Sequence, residues 1–128
     1  MTPSSIIGLG TDIIEISRIK KAFRKHGQHF LNRIYLPNEQ LYCLKAANPI
    51  PRLAARFAAK EAIVKSLGSG LGFFSWLDIE VIKNRQGQPM VSFSEKLKHT
   101  YGSISFLLSI SHSLNYATAT AICFKTLS

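Results

Sequence analysis

Acidic residues are scarce in this chain of 128 residues, in which seven Asp and Glu stand against 16 Lys and Arg, for a formal net charge of +9 at pH 7. Such an excess predicts an acidic partner, whether a nucleic acid, an anionic membrane, an acidic protein or a phosphorylated small molecule. The strands carry no RNP1-type aromatic pattern for stacking bases, which disfavours a nucleic-acid-binding module.

Cysteines and long apolar runs are also few. No apolar run approaches the ~20 residues that a membrane-spanning helix needs, so we expect no membrane segment. Cys43 and Cys123 lie in apolar contexts, which predicts reduced core residues rather than a disulfide or a zinc site. The N-terminal sequence "MTPSSIIGLGTD" has no basic region before its short apolar stretch, so we expect no signal peptide. Together these features predict a cytoplasmic protein.

Composition and element order predict one globular domain over residues 1–128. The apolar content of 46% and the charged content of 18% are typical of a compact chain, and we find no repeat, low-complexity tract or long linker. The predicted order is a strand, several helices, a hairpin, a short helix and a second hairpin. This order indicates an α+β fold, with helices packed on a mostly antiparallel sheet.

The first half is predicted to be a strand followed by helices. The segment "SIIGLGTDIIEI" predicts a buried strand that ends at Asp12, with glycines that permit close backbone approach. Helical spacing then runs from about Ser17 to Gly27, and a short turn follows. "LPNEQLYCLKAA" predicts a short helix with Asn38 as its N-cap, and the longest helix spans about residues 52–67, closed by Gly68 and Gly70.

The second half is predicted to be mostly strand. "WLDIEVIKN" and "PMVSF" flank the turn "RQGQP", and "SISFLLSISH" and "YATATAICF" flank "SLN", so both pairs predict hairpins. Between them, "SEKLKHTYG" predicts a short helix capped by Ser94. The strands of the second hairpin are unusually apolar for so small a chain, so we expect part of their surface to lie between subunits.

Glu61 is an unusual acid on the longest predicted helix, where it is flanked by Lys60. One interpretation is a solvated ion pair with Lys65, in the favourable i,i+4 order. The other is that Glu61 and Asp12 meet and hold a hard divalent cation, for which magnesium is suitable because it accepts one or two carboxylates. Asp12 has its own alternative, a capping box with Glu15 at the start of the first helix.

Three further features allow both a structural and a functional interpretation. "SLGSG" is by default a helix C-cap, although Lys65 one turn earlier could reach a phosphate. His112 in "SISHS" is either structural or positioned for an anion contact or proton transfer. The basic helix face is either solvated or a docking surface for an acidic partner; it carries Arg18, Lys20, Lys21, Arg24 and Lys25.

Read together, "GLGTDIIEISRI", "RFAAKEAIVKSLGSG" and "SISHS" closely resemble the holo-acyl-carrier-protein synthases, the small bacterial type of 4'-phosphopantetheinyl transferase. The G-x-D and F-x-x-K-E-A-x-x-K motifs are specific as a pair, and the resemblance spans essentially the whole chain. Ser66 and Ser69 stand where alanine and threonine are frequent in the family.

The resemblance implies the family's fold and a magnesium-dependent reaction in fatty acid biosynthesis. The 4'-phosphopantetheine arm of coenzyme A moves to a serine of apo-acyl carrier protein, which is acidic, and adenosine 3',5'-bisphosphate is released. The family forms homotrimers with active sites at subunit interfaces. A non-catalytic coenzyme A or nucleotide binder is the alternative, but it would tolerate the loss of one carboxylate, and both are present here.

The resemblance also implies roles for individual residues. Asp12 and Glu61 would hold the magnesium, and Lys65 would stabilise charge on the phosphates. The proton acceptor for the serine stays open between Asp12, Glu61 acting through water, and a metal-bound hydroxide. Arg56 and His112 would bind coenzyme A phosphates, and Gly87 and Pro89 would line the adenine pocket from the neighbouring subunit. The implied docking residues for the carrier protein are Arg18, Lys21, Arg24 and Lys25.

Overall fold

The computed structural model describes residues 5–68 and 74–126. Within these ranges five helices, one 3-10 turn and five strands alternate along the chain. In chain order they are β1 (Ile6–Glu15), α1 (Ile16–His26), α2 (Gln28–Ile34), α3 (Pro37–Leu44), α4 (Ile50–Leu67), the 3-10 turn (Trp76–Asp78), β2 (Ile79–Lys83), β3 (Pro89–Phe93), α5 (Glu95–Tyr101), β4 (Ile104–His112) and β5 (Tyr116–Lys125). None of the described helices has the length and apolarity to cross a bilayer.

The strands form two antiparallel sheets. β5 lies between β1 and β4 in the larger sheet, and β2 pairs with β3 in the smaller one. Both predicted hairpins are confirmed, as is the α+β fold class.

The longest helix, α4, packs against one face of the larger sheet. The side chains that β5 turns toward this face are small and buried, and they are Ala117, Ala119, Ala121 and Cys123. On β1, a Cβ atom added to Gly8 would overlap the carbonyl oxygen of Ser66 on α4. The prediction that the glycines of β1 permit close backbone approach is therefore confirmed, and α4 runs close against the sheet.

The first strand differs from its prediction in length and in burial. It continues past Asp12 to Glu15, and α1 begins at the next residue, so the expected capping box of Asp12 and Glu15 does not form. Gly10 alone is buried among the residues of β1. The prediction of a buried strand was wrong because β1 is an edge strand with helix packing on one face.

The start of α3 also differs from its prediction. Asn38 is not the N-cap, because the helix already begins at Pro37. Proline lacks an N–H and has a fixed φ, so it suits the first position of a helix. The carboxylate of Glu39, two residues further on, accepts a hydrogen bond from the backbone N–H of Leu36 at 2.9 Å. The prediction for Asn38 was therefore wrong, and the side chain that accepts from a backbone N–H at the start of α3 is Glu39.

Other local predictions are confirmed. Gly27 ends α1 with a φ of 54°, and Ser94 caps α5 by accepting from the backbone N–H of Leu97. Cys43 and Cys123 are buried free thiols, and burial raises the pKa of Cys43 to about 11. α4 begins at Ile50, two residues before its predicted start, and it ends at Leu67 as predicted. The proposed cap at Gly70 lies outside the described residues.

Candidate active site

Asp12 and Glu61 line one cavity of about 410 Å³ between β1, α1 and α4. Asp12 faces α4 because it lies two residues beyond Gly10 on the same side of β1. Glu61 projects from α4 and is half-buried. The cavity is lined by Asp12, Ile13, Ile14, Arg18, Ile19, Ala22, Phe30, Phe57 and Glu61. The structure thus places the two candidate metal ligands in a common space.

The two carboxylates repel each other. Burial raises the pKa of Glu61, the charge of Asp12 raises it further, and the nearby Lys65 acts in the opposite direction. A pair of carboxylates in one cavity suits a hard divalent cation, which would neutralise both charges. Within residues 5–68 and 74–126, no group of three or more His, Cys, Asp and Glu side chains is placed to hold a metal. Magnesium fits such a two-carboxylate set, because water and phosphate oxygens complete its octahedron.

Lys65 contacts Asp12 rather than Glu61. Its ammonium nitrogen lies 3.1 Å from Oδ1 of Asp12 and 3.1 Å from the carbonyl oxygen of Thr11. The alternative in which Lys65 pairs with Glu61 on an exposed helix stripe is therefore not what the structure shows. About half of the Lys65 side chain is exposed, so the ammonium group is accessible to a bound anion.

A second cavity, of about 510 Å³, contains the remaining predicted ligand-binding residues. Arg56, His112, Gly87 and Pro89 all line it. They come from α4, the end of β4, the β2–β3 turn and the start of β3. All four belong to the same chain, and none of them lines the cavity of Asp12 and Glu61. One chain therefore carries two separate cavities, which we call the carboxylate cavity (Asp12 and Glu61) and the cationic cavity (Arg56 and His112).

Three further residues of the cationic cavity were not predicted from the sequence, and they are Tyr42, Arg52 and Lys83. The guanidinium carbons of Arg52 and Arg56 lie 4.3 and 4.6 Å from the centre of the Tyr42 ring, and Nζ of Lys83 lies 4.9 Å from it. Partial burial acts to raise the pKa of the Tyr42 hydroxyl, but the hydrogen bond and charge of Lys83, with both guanidinium groups, lower it overall. The spacing of four between the two arginines was the available signal, since it puts both on one face of a helix.

The buried guanidinium group of Arg56 is held in place by the backbone. Its Nη1 donates a hydrogen bond of 2.8 Å to the carbonyl oxygen of Val81 on β2. The concentration of cations around an open cavity suits a ligand with several phosphate charges.

The basic residues of α1 form an exposed face. Ile16 and Ile19 are buried on the opposite side of the helix, which explains why the charged side chains point outward. Arg18 also lines the carboxylate cavity, so it connects this face with the candidate metal ligands. The exposed basic residues are Arg18, Lys20, Lys21, Arg24 and Lys25.

Residues 8–121 match the family model described as the 4'-phosphopantetheinyl transferase superfamily. The holo-[acyl-carrier-protein] synthase of Protochlamydia amoebophila (strain UWE25) is 50% identical over 117 residues, which are 91% of this chain and 96% of the relative. The crystal structure of the synthase from Neisseria meningitidis superposes with a TM-score of 0.84 at 34% identity, covering 94% of this chain and 100% of the other. The Helicobacter pylori synthase in complex with coenzyme A gives 0.80 at 32% identity, covering 90% and 98%.

Proposed function

The chain belongs to the 4'-phosphopantetheinyl transferase superfamily, and we propose that it transfers the 4'-phosphopantetheine group of coenzyme A to a serine of apo-acyl carrier protein. The serine oxygen forms a new bond to phosphorus, and adenosine 3',5'-bisphosphate leaves. The product, holo-acyl carrier protein, serves fatty acid biosynthesis. The observation that carries this proposal is that the chain has both a two-carboxylate cavity and a cationic cavity and is 50% identical to a holo-[acyl-carrier-protein] synthase.

Asp12 and Glu61 are the residues that would hold a magnesium ion. When bound, the ion neutralises charge on the pyrophosphate of coenzyme A. The position of Glu61 on the 18-residue helix α4 supports this role, because a rigid helix fixes the carboxylate in place. Asp12, and Glu61 acting through water, are also the chain's own acceptors for the serine proton.

The cations of the chain bind and orient the phosphates. Arg56 and His112 would hold the phosphates of coenzyme A, with His112 at the 3'-phosphate, while Gly87 and Pro89 line the adenine pocket. Lys65 would leave its contact with Asp12 and stabilise charge on the phosphates as the bond breaks. Each contact keeps the attacking and leaving oxygens in line.

The basic face of α1 would dock the acidic carrier protein. Its exposed cations (Arg18, Lys21, Arg24 and Lys25) lie on the helix that follows β1, and Arg18 reaches the carboxylate cavity. A protein docked there would present its serine close to the candidate metal ligands. The net charge of +9 would raise the association rate with such a partner.

We also propose that the chain is a single domain that assembles as a homotrimer in the cytoplasm, with active sites shared between subunits. Among the described residues, the two cavities of one chain have no lining residue in common, so a shared site would bring the carboxylate cavity of one subunit to the cationic cavity of another. The uncovered face of the larger sheet supplies an apolar surface for assembly, since Leu9, Ile13 and Leu107 are 65%, 66% and 62% exposed. The free thiols of the two cysteines support a reducing compartment.

Product analysis distinguishes this function from a non-catalytic coenzyme A binder. The chain is incubated with coenzyme A, magnesium and apo-acyl carrier protein, and the nucleotides are separated by chromatography. We expect adenosine 3',5'-bisphosphate to appear in equal amount with the modified carrier protein. Tight coenzyme A binding without this product would support the binder instead.

A further inference from the structure

Lys60 and Glu39 form an ion pair inside the protein. The ammonium nitrogen of Lys60 lies 2.7 Å from Oε1 of Glu39, and both side chains are fully buried. Lys60 also donates to the carbonyl oxygens of Ile34 at 2.6 Å and Trp76 at 3.1 Å. The three hydrogens of the ammonium group therefore have three acceptors on separate segments of the chain.

The carboxylate of Glu39 likewise accepts hydrogen bonds from three donors. Besides Lys60 it accepts from the backbone N–H of Leu36, and its Oε2 accepts from the backbone N–H of Val81 at 3.0 Å. The pair therefore ties α4 to the end of α2, the start of α3, the 3-10 turn and β2.

This network reaches residues of both cavities. Lys60 immediately precedes Glu61, whose side chain lines the carboxylate cavity. Val81, which donates to Glu39, accepts at its carbonyl oxygen from Arg56 of the cationic cavity. One buried ion pair thus connects the residue that precedes Glu61 on α4 with the backbone that anchors Arg56.

Stability alone gives no reason for this arrangement. A buried ion pair loses hydration on both partners, and well-packed apolar residues of similar volume are often at least as stable. Burial lowers the pKa of Lys60, and Glu39 opposes that shift. The directional hydrogen bonds of the pair, which apolar side chains cannot supply, are therefore the property that distinguishes it.

We infer that Lys60 and Glu39 are positioning residues of the transfer reaction, which orient Glu61 in the carboxylate cavity and Arg56 in the cationic cavity. This inference rests on the proposed function. Because both side chains are fully buried, they would act through α4 and Val81 rather than by contact with a substrate.

The test is the double variant Lys60→Met/Glu39→Gln. Removing both charges together avoids an unpaired buried charge, which would threaten folding. Leu97→Ala is the matched control, since Leu97 is buried on α5, makes none of the network's hydrogen bonds and lines neither cavity, so the substitution lowers stability but keeps those hydrogen bonds. Thermal unfolding, kcat, KM for coenzyme A and equilibrium coenzyme A binding are measured for folded protein well below each unfolding midpoint.

We expect the double variant to fold, with kcat lowered and KM for coenzyme A raised by about tenfold each, as for residues that orient the ligands of a site. Leu97→Ala should have a lower unfolding midpoint but keep wild-type kinetic constants when it is measured well below that midpoint. A folded double variant with wild-type kcat, KM and coenzyme A binding would overturn the inference. Inactive wild-type protein in the same assay would instead refute the proposed function.

A second variant covers the case in which the double variant does not fold. Glu39→Asp keeps the negative charge beside Lys60 but withdraws the carboxylate by one methylene, so it can no longer accept from both Leu36 and Val81 at hydrogen-bond distance. We expect KM for coenzyme A to rise in this variant, because Val81 anchors Arg56. An unchanged KM in folded Glu39→Asp would equally overturn the inference.

Discussion

Gly10 of β1 and Ala62 of α4 lie so close that a Cβ atom on Gly10 would overlap the carbonyl oxygen of Ala62. The same atom would stand 2.6 Å from the backbone nitrogen of Ser66. The strand and the helix therefore approach backbone to backbone. Asp12 lies two residues after Gly10, and Glu61 lies one residue before Ala62. This backbone contact therefore brings the two carboxylates to a common cavity.

The first prediction concerns Gly10→Ala. The added methyl group has no space against two rigid backbones, so we expect the free energy of unfolding to fall by about 3 kcal/mol. Urea denaturation measures the change. Thr11→Ala is the control, because it adds no atom and removes one part-buried hydrogen bond, to the carbonyl of Ala119, so it should cost about 1 kcal/mol. Equal stability of Gly10→Ala and wild type would contradict the close packing.

The second prediction concerns Glu61→Gln. If Glu61 holds magnesium, turnover should fall by about 100-fold or more, since even the outer partners of metal ligands typically contribute 10- to 100-fold. Folding should be retained, because burial and Asp12 both disfavour the charge that is removed. Initial rates over a magnesium titration measure the effect.

Glu95→Gln serves as the control for this change, since Glu95 is an exposed acid on α5. It should keep wild-type rates. Wild-type activity and unchanged magnesium dependence in Glu61→Gln would refute the assignment of Glu61 as a ligand.

Much of the fold could be predicted from local patterns. The hairpins followed from alternation around turn residues, and the close approach of β1 followed from its glycines. The burial of β1 could not be predicted, because an edge strand and a central strand of the same composition differ only in what packs on them.

The site residues that lie in recognisable motifs could be predicted, whereas contacts between residues distant in sequence could not. Asp12 and Glu61 lie in recognisable motifs, and the structure places both in one cavity. Lys60 looked like a charge beside Glu61, yet it is fully buried with Glu39, 21 positions away in sequence. Helical periodicity predicts which face of α4 carries Lys60. It does not predict that Lys60 pairs with Glu39, because Glu39 lies on a different helix.

The third prediction concerns assembly. We expect light scattering at micromolar concentration to give a mass near three chains of 14.2 kDa each. Leu9→Lys should lower this mass, because it places a charge on the apolar face of the larger sheet. Leu41→Lys, on the exposed surface of α3, is the control and should leave the mass unchanged. A wild-type mass near one chain would contradict the shared-site proposal.

The fourth prediction separates docking from chemistry. Arg18→Ala should raise KM for the carrier protein by up to about fivefold, corresponding to ~1 kcal/mol for an exposed charge pair. Coenzyme A binding should change little, because its phosphates are assigned to Lys65, Arg56 and His112. Added salt should weaken the wild type more than the variant.

Lys45→Ala removes an exposed lysine outside α1 and provides the control. It should leave KM for the carrier protein near the wild-type value. If Arg18→Ala weakened coenzyme A binding and left that KM untouched, the division of the basic residues between the two substrates would be wrong.

Intact-protein mass spectrometry of apo-acyl carrier protein tests the transfer itself. After incubation with this chain, coenzyme A and magnesium, we predict a mass increase equal to one phosphopantetheine group, located on a single serine. A chelator of divalent cations should abolish the increase, and Glu61→Gln should slow it strongly. An unchanged carrier mass with folded wild-type protein and both substrates present would contradict the transferase assignment.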